Sequence, residues 1–370
     1  MAMPAFLLIA LVLASAVCAQ TPKITATASD LPNGWKLTPA GKHVITDDYI
    51  LNLTTTPDGQ RVIAMNAGYN PHGLWVIDPQ KVETMQHIKL KSAWLGMAWA
   101  PDGKTLYVSG GNAQSRVAPE AARIYAFSYA NGALSAEPVR EFKHRLPMNE
   151  IYWSGLAMHP TKPLLYAANR GTKATPGHVV VFDTNSGERV AEIGTGINPY
   201  DALLDPTGAT LFVSNWASNS VSVIDTASNK VRGVIRVGHN PNDMLLSRDG
   251  RLFVACSNEN SVFVIDAKTL KPIETISTSM YRMAPVGSTP NALALDPTGK
   301  MLFVANADNN NVAVVDVSDR DGSNVMGFIP TAWYPSSLAL AADGKSLYVG
   351  SSKGLGGYAN ITGPTSPLAP

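Results

Sequence analysis

The side chains best equipped for chemistry are thinly spread along this chain. Asp201 and Asp243 stand 42 residues apart in matching settings, Asn198-Pro-Tyr-Asp and Asn240-Pro-Asn-Asp. Two carboxylates brought together could share a proton and work as acid and base. The same residues could instead accept hydrogen bonds from neighbouring backbone, the commoner use of a repeated acid. His72, His178 and His239 could supply a base or a metal ligand if one channel mouth gathered them. No Gly-x-Ser-x-Gly elbow, His-Glu-x-x-His helix, phosphate-cradling glycine loop or calcium-binding EF-hand loop occurs. The two cysteines, Cys18 and Cys256, exclude a disulfide framework and a cysteine-based zinc site. No Cys-x-x-Cys-His run offers haem attachment. The sequence therefore assigns no catalytic residue, no metal and no cofactor.

Binding chemistry is better represented. The candidate ligand-binding residues are Arg170, Tyr200, Asp201, Asn215, Trp216, His239, Asn242, Asp243, Asn291, Trp333 and Tyr334. Trp216 follows Asn215 directly and offers a ring face for stacking. Arg116, Arg145, Lys173 and Arg282, with His144, His178 and His239, could receive an anion. Glu120, Glu150 and Glu259 fall in the same loops and make that face mixed in charge. Several of these residues also have a local use. Asn tolerates left-handed backbone and caps loops through its side chain, and Trp94 and Trp153 could wedge between sheets.

What must position these residues is an internal repeat. Leu211-Phe-Val-Ser-Asn and Val221-Ser-Val-Ile-Asp return as Leu252-Phe-Val-Ala-Cys and Val262-Phe-Val-Ile-Asp, then as Leu302-Phe-Val-Ala-Asn and Val312-Ala-Val-Val-Asp. Each piece is a short β-branched and aromatic run ended by turn-forming residues, which predicts strands joined by tight turns. Anchors between first and second strands fall at Pro57, Pro101, Pro160, Pro206, Arg248, Pro297 and Ala342, spaced 44, 59, 46, 42, 49 and 45 residues apart. Seven residues before the anchors stand Trp94, Trp153, Pro199, Pro241, Pro290 and Pro335; nine after stand Asn66, Asn169, Asn215 and Asn306. A period near 45 with four strands per unit predicts an all-β, seven-bladed β-propeller of four-stranded antiparallel blades.

The ends suggest how the ring closes. Residues 34–46 read as third and fourth strands without a first or second, and the last unit lacks its third and fourth. Residues 34–46 are expected to complete the last blade by pairing onto residues 347–349, which removes an open edge. The loops entering first strands and leaving second strands share one end of the channel. The extra length lies there, in residues 110–122, 142–152, 170–178 and 280–288, while the opposite turns stay short. Variable loops on one face of a rigid scaffold are where binding resides. Tyr69, His72, Trp94 and Trp153 project onto the same face.

Composition narrows the partners. The 29 basic and 28 acidic residues leave a formal charge of +1. That counts against a nucleic-acid surface, which needs positive charge. Charged residues are 15% of the chain, too few for a disordered polyelectrolyte or a long coiled coil. Residues 6–17 form the one long apolar run, and Val17 and Ala19 suit a secretory cleavage point although no Lys or Arg precedes the run. The expected organisation is a signal peptide at 1–19, a lead at 20–33, the propeller at 34–352 and a Gly/Pro-rich tail or linker at 353–370. An exported, periplasmic or extracellular protein without a further membrane span follows from it.

The segments Leu31-Pro-Asn-Gly-Trp-Lys-Leu-Thr-Pro-Ala-Gly, Ser92-Ala-Trp-Leu-Gly-Met-Ala, Val304-Ala-Asn-Ala-Asp-Asn-Asn, Gly327-Phe-Ile-Pro-Thr-Ala-Trp-Tyr-Pro and Lys353-Gly-Leu-Gly carry a family resemblance. Over residues ~30–360 the chain resembles the YVTN-repeat, or YncE-like, propellers. Within them it is most similar to the propeller half of two-part bacterial proteins that add an alkaline-phosphatase-superfamily phosphoesterase. The resemblance implies a scaffold that binds a ligand or protein partner through its long-loop face, possible partners including such a phosphoesterase domain or subunit. The metal ligands and nucleophile of that enzyme have no positions here. Two other readings come from related propellers: a lactonase-type hydrolase, for which no matched Glu, His and Arg recur, and single-stranded DNA binding through Tyr200 and Trp216.

Overall fold

The computed structural model describes residues 29–31, 36–46, 49–68, 71–111, 123–143, 151–171 and 175–353. The expected signal peptide and most of the lead and tail fall outside these residues, as do Tyr69, Arg116, His144, Arg145 and Lys173.

The repeat becomes sheets. Blade one comprises Ile50–Thr55, Val62–Asn66, Gly73–Asp78 and Glu83–Lys89; blade two comprises Met97–Trp99, Thr105–Ser109, Ile124–Ala130 and Arg140–Phe142, with Ala133–Leu134 added to its third strand. Blade three runs through Trp153–Met158, Leu164–Asn169, Pro176–Asp183 and Arg189–Ile197; blade four through Pro199–Leu204, Thr210–Asn215, Ser220–Asp225 and Lys230–Arg236. Blade five holds Pro241–Leu246, Arg251–Cys256, Ser261–Asp266 and Lys271–Ser277; blade six holds Pro290–Leu295, Met301–Asn306, Asn311–Asp316 and Asn324–Pro330. Every pairing is antiparallel between strands consecutive in sequence, apart from blade two, where the fourth strand skips the added hairpin.

The turns explain the regularity. Asp205 Oδ1 accepts the amides of Thr207 and Ala209 at 3.0 Å each, and Gly208 takes φ 75° between them. Asp225 Oδ1 accepts the Ser228 amide at 2.8 Å where the third strand turns into the fourth. These side chains replace the backbone partners that a tight turn removes.

Neither face of a single four-stranded sheet could stay apolar in water, and burial is found between sheets. One cluster packs Tyr166, Val179 and Val181 of blade three against Leu211 and Val213 of blade four. Another packs Phe253 and Val262 of blade five against Leu302 and Val304 of blade six. Trp153 belongs to such a wall, fully buried and edge-on to Phe182 at 5.8 Å.

Ring closure differs from expectation. Pro335–Leu340 and Leu347–Ser351 form a two-stranded sheet that packs on blade six on one side and on blade one on the other. Among the described residues six blades have four strands or more, and this closing hairpin stays at two. The N-terminal segment does not complete it. Lys36–Leu37 pairs with Ser29–Asp30, residues 38–46 form no strand, and the Ala40 amide reaches Pro330 O on blade six at 3.0 Å. The physical reason lies at the seam, where the hairpin is fastened directly to blade one. Ser336 and Ser352 both donate to the Ile50 carbonyl, the latter at 3.1 Å, and the Tyr49 amide donates to Ser352 O at 2.9 Å. The ring is shut without the N-terminal strands.

Candidate binding site at the channel mouth

The site is built by the residue that enters each first strand. Tyr49, Asn198, Asn240, Thr289 and Tyr334 all take positive φ there, between 54° and 65°. Asparagine adopts this conformation readily; tyrosine and threonine do so at a cost. The carbonyl of the entering residue accepts the amide of the residue leaving the second strand: Trp216 to Asn198 and Ser352 to Tyr334 at 2.9 Å, Ala67 to Tyr49 at 3.1 Å. Arg170 makes the same bond to Tyr152 at 2.9 Å. Two rows of equivalent residues thus ring one end of the channel.

Three of the entering residues are tyrosines, and cations lie over two of them. The Arg170 guanidinium is 4.7 Å from the Tyr152 ring centroid. Lys353 Nζ is 4.2 Å from the Tyr334 centroid and 5.2 Å from that of Trp333. Trp94 meets Tyr152 edge-on at 5.3 Å. Its buried Nε1 has no hydrogen-bond partner among the described residues. Burial pushes the Tyr334 hydroxyl up to about 12, and the Tyr200 hydroxyl is raised by the same cause.

Deeper in the channel, first strands are linked blade to blade. The Met244 amide donates to Asp201 Oδ2 at 3.2 Å and the Leu293 amide to Asp243 Oδ2 at 2.6 Å. Asn242 Nδ2 donates to Asn291 Oδ1 at 2.7 Å, and the Ser214 hydroxyl to Asn242 O at 2.7 Å. Both carboxyls are held above the ordinary range. Burial raises Asp201 and the charge of Asp243 adds to it; burial raises Asp243 to about 7. The acids serve here as staples between blades, and burial favours their protonated forms.

The remaining candidates divide. Asn215 is fully buried, taking the Gly196 amide at 3.0 Å and giving its own hydrogens to Ser220 and Ser222. Asn242 is 2% exposed and committed to Asn291, which is half-buried. Trp216 is half-buried on the loop after blade four's second strand, its carbonyl accepting from Asn240 Nδ2 at 3.0 Å. His239 is exposed and stands 3.9 Å from Glu259. The three histidines do not form a cluster. His72 accepts the Ala93 amide at 2.8 Å, His178 lies 3.1 Å from Asn169 Nδ2, and His239 is tied to Asn219 and Glu259 in blades four and five. Among the described residues no group of three His, Cys, Asp or Glu could hold a metal ion.

Tyr49, Tyr152 and Lys353 belong to the site and were not among the sequence candidates. Their signal was positional. Each occupies the register slot of a residue already singled out or stands beside it, Tyr49 and Tyr152 that of Tyr334, and Lys353 next to Ser352, which holds the slot of Trp216 and Arg170.

No protein-family profile matches the chain. It is similar to the uncharacterized protein YncE of Salmonella typhimurium, 30% identical over 168 residues, 44% of this chain and 42% of that protein. It is also similar to the hydrazine synthase subunit beta of Kuenenia stuttgartiensis, 28% identical over 208 residues, 45% of this chain and 52% of that one. The matches therefore span about half, or less, of the curated relatives. Among solved structures, a chain of Kuenenia stuttgartiensis hydrazine synthase superposes with TM-score 0.64 at 23% identity, covering 84% of this chain and 95% of that one, a likeness of fold. Repeat, sheet topology and these likenesses together make the chain a β-propeller that resembles YncE over part of its length.

Proposed function

We propose that the chain is a binding scaffold whose long-loop face receives the anionic group of a small ligand or protein partner at the channel mouth, and is not itself catalytic. The observation that carries this is the pairing of Arg170 with Tyr152 and of Lys353 with Tyr334. Among the described residues neither cation forms an ion pair. Aromatic faces hold both in place without neutralising them. The buried carboxyls of Asp201 and Asp243 below disfavour a negative charge deeper in the channel, which leaves the rim to the anion. The test compares wild type with an Arg170→Ala/Lys353→Ala double variant in a thermal-shift screen of small anionic and aromatic compounds. Compounds that protect the wild type and not the variant locate the site. Equal protection of both would remove the mouth from consideration.

Three further readings accompany this one. The closing hairpin is read as the inner half of a seventh blade, since it has an apolar interface with a neighbour on each side. The apolar run at residues 6–17 supports export, with cleavage after Ala19, to the periplasm or outside the cell. N-terminal sequencing of the product from a secreting host tests that directly. A phosphoesterase partner, as a following domain or a separate subunit, is supported by the family resemblance of the Lys353-Gly-Leu-Gly segment. One similar protein is named as a subunit of an enzyme, which suits a propeller that assembles with others. The nucleotides after the codon for Pro370 decide between a linked enzyme and a free-standing binder.

A further inference from the structure

Blades four and five share one register, so each residue of one has a counterpart in the other. Asn215 pairs with Ser220 as Cys256 pairs with Ser261. Ser218 therefore matches Glu259, Ser220 matches Ser261, and Ser222 matches Phe263. Pro199 pairs with Asn215 as Pro241 pairs with Cys256, which matches Ile197 to His239 and Gly196 to Gly238.

In blade five the chain fills its own inter-blade cleft. Glu259 Oε1 accepts the His239 amide at 3.0 Å and Oε2 accepts the Ser261 hydroxyl at 3.0 Å. The Phe263 ring lies beside that carboxylate: a Cβ on Gly238 would come within 2.5 Å of Glu259 Oε2 and 2.6 Å of Phe263 Cε2. In blade four, serines replace both the acid and the ring. A cavity of about 290 Å³ opens there, between the outer strand of blade three at Gly194–Gly196 and the Ser220, Ser222 and Arg236 side of blade four.

The polar groups left in this cleft are donors. Ser218 Oγ takes the Ile197 amide at 2.7 Å, the role of Glu259 Oε1 one blade on. Asn215 Nδ2 donates to Ser222 Oγ at 2.9 Å and to Ser220 Oγ at 3.3 Å. Each of these buried hydroxyls therefore keeps its own hydrogen to give, and neither has an acceptor for it among the described residues. Arg236 Nη1 donates to Ser218 O at 3.3 Å, which sets the guanidinium at the cleft, where it forms no ion pair among the described residues. Val231 and Val234, 39% and 60% exposed, supply an apolar wall.

We propose that the cleft between blades three and four binds a small organic carboxylate with a short apolar body. The carboxylate meets the Ser220 and Ser222 hydroxyls and the Arg236 guanidinium, and the apolar body lies along Val231 and Val234. The ligand supplies from outside what Glu259 and Phe263 supply in blade five. Arg is suited to this role because its planar donors match a carboxylate.

The test is a titration of the ¹⁵N-labelled protein with benzoate, and with benzamide as the uncharged molecule of the same shape, read at the Gly194, Gly196 and Ser222 amides. Benzoate should give saturable shifts, and benzamide should bind about tenfold or more weakly. Arg236→Ala should weaken benzoate by a similar factor, and Ser222→Phe should abolish binding by restoring the ring of blade five. Absence of saturation, equal affinity for the two probes, or full binding by Ser222→Phe overturns the proposal. If Ser222→Phe does not fold, Ser218→Glu takes its place, because it returns the chain's own carboxylate to the cleft. Undiminished benzoate binding in that variant is equally fatal.

Discussion

The Asp243 carboxylate of blade five accepts the Leu293 amide of blade six at 2.6 Å, so an acid that faces the channel also fastens two blades together. Burial raises its pKa from 3.8 to about 7. A carboxyl raised on folding binds its proton more tightly in the native state, so its stabilising contribution is complete below about 3.8 and is lost as the pH rises through about 7. Asp243→Asn keeps an acceptor oxygen for Leu293 and cannot ionise. Urea denaturation should find it close to wild type at pH 4 and more stable at pH 8, by on the order of 1–2 kcal/mol. A variant no more stable than wild type at pH 8 would show that the carboxylate is not penalised by its surroundings.

The turn acids act with the opposite sign. Hydrogen bonds from Ser228 hold the Asp225 carboxyl below its ordinary value, and Asp183, Asp266 and Asp316 are lowered in the same way. Their contribution is present above 3.8 and is lost as the pH falls through the depressed native value. With the channel pair falling away on the alkaline side, thermal stability should peak near pH 4–5, and in Asp243→Asn the plateau should extend upward. Calorimetry across pH 3–8 measures both.

The blades were legible because strand periodicity and turn chemistry are local: Asp205, Gly208 and Asp225 do in three dimensions what their types and spacing imply. The seam was not. It rests on two hydroxyls, Ser336 and Ser352, reaching Ile50 O across almost the whole chain, and isolated serines carry no periodic signal. The isolated look of residues 34–46 as spare strands was outweighed by those contacts. The mouth was half legible. Tyr334, Trp333 and Arg170 were among the candidates, whereas Tyr49 and Tyr152 were not; at Tyr49 the positive φ that asparagine adopts in blades four and five is one that tyrosine rarely takes.

Strain at one turn should be removable without touching the site. Val82 holds φ 59° between the third and fourth strands of blade one, where blade three has Gly187 and blade four has Asn229. A β-branched residue is poorly suited to that region. Val82→Asn should raise stability by about 0.5–1 kcal/mol, read as an upward shift in Tm. A lower Tm would mean that packing of the half-buried Val82 side chain outweighs its backbone strain.

Two tryptophans separate scaffold from loop. Trp153 is fully buried with Phe142 and Phe182, whereas Trp216 is half-buried on a loop. Trp153→Ala should cost about 3–5 kcal/mol or prevent folding. Trp216→Ala should cost roughly 1 kcal/mol, in keeping with a site whose loss changes binding more than stability. Comparable losses in chemical denaturation would place Trp216 in the packing between blades and take it out of the binding face.

The seam itself predicts how the ring opens. Gly350 of the closing hairpin passes so close to blade one that a Cβ there would stand 2.6 Å from Ile50 Cγ2 and closer still to Ser337 Oγ. Backbone on both sides is fixed by the Ser336 and Ser352 hydrogen bonds to Ile50 O, so neither strand can yield without giving them up. Gly350→Ala should therefore destabilise by about 1–3 kcal/mol through overpacking. Gly327→Ala is the control, since it meets nothing within 4 Å and lies on the outer strand of blade six; it should be neutral or slightly stabilising. The loss in Gly350→Ala should also be local. Hydrogen exchange should quicken at Pro335–Leu340, Leu347–Ser351 and Ile50–Thr55, the strands that meet at the seam, while blades three to five keep their protection. Faster exchange spread evenly over all blades would mean that the ring unfolds as one unit and that the hairpin is no weaker than any other interface.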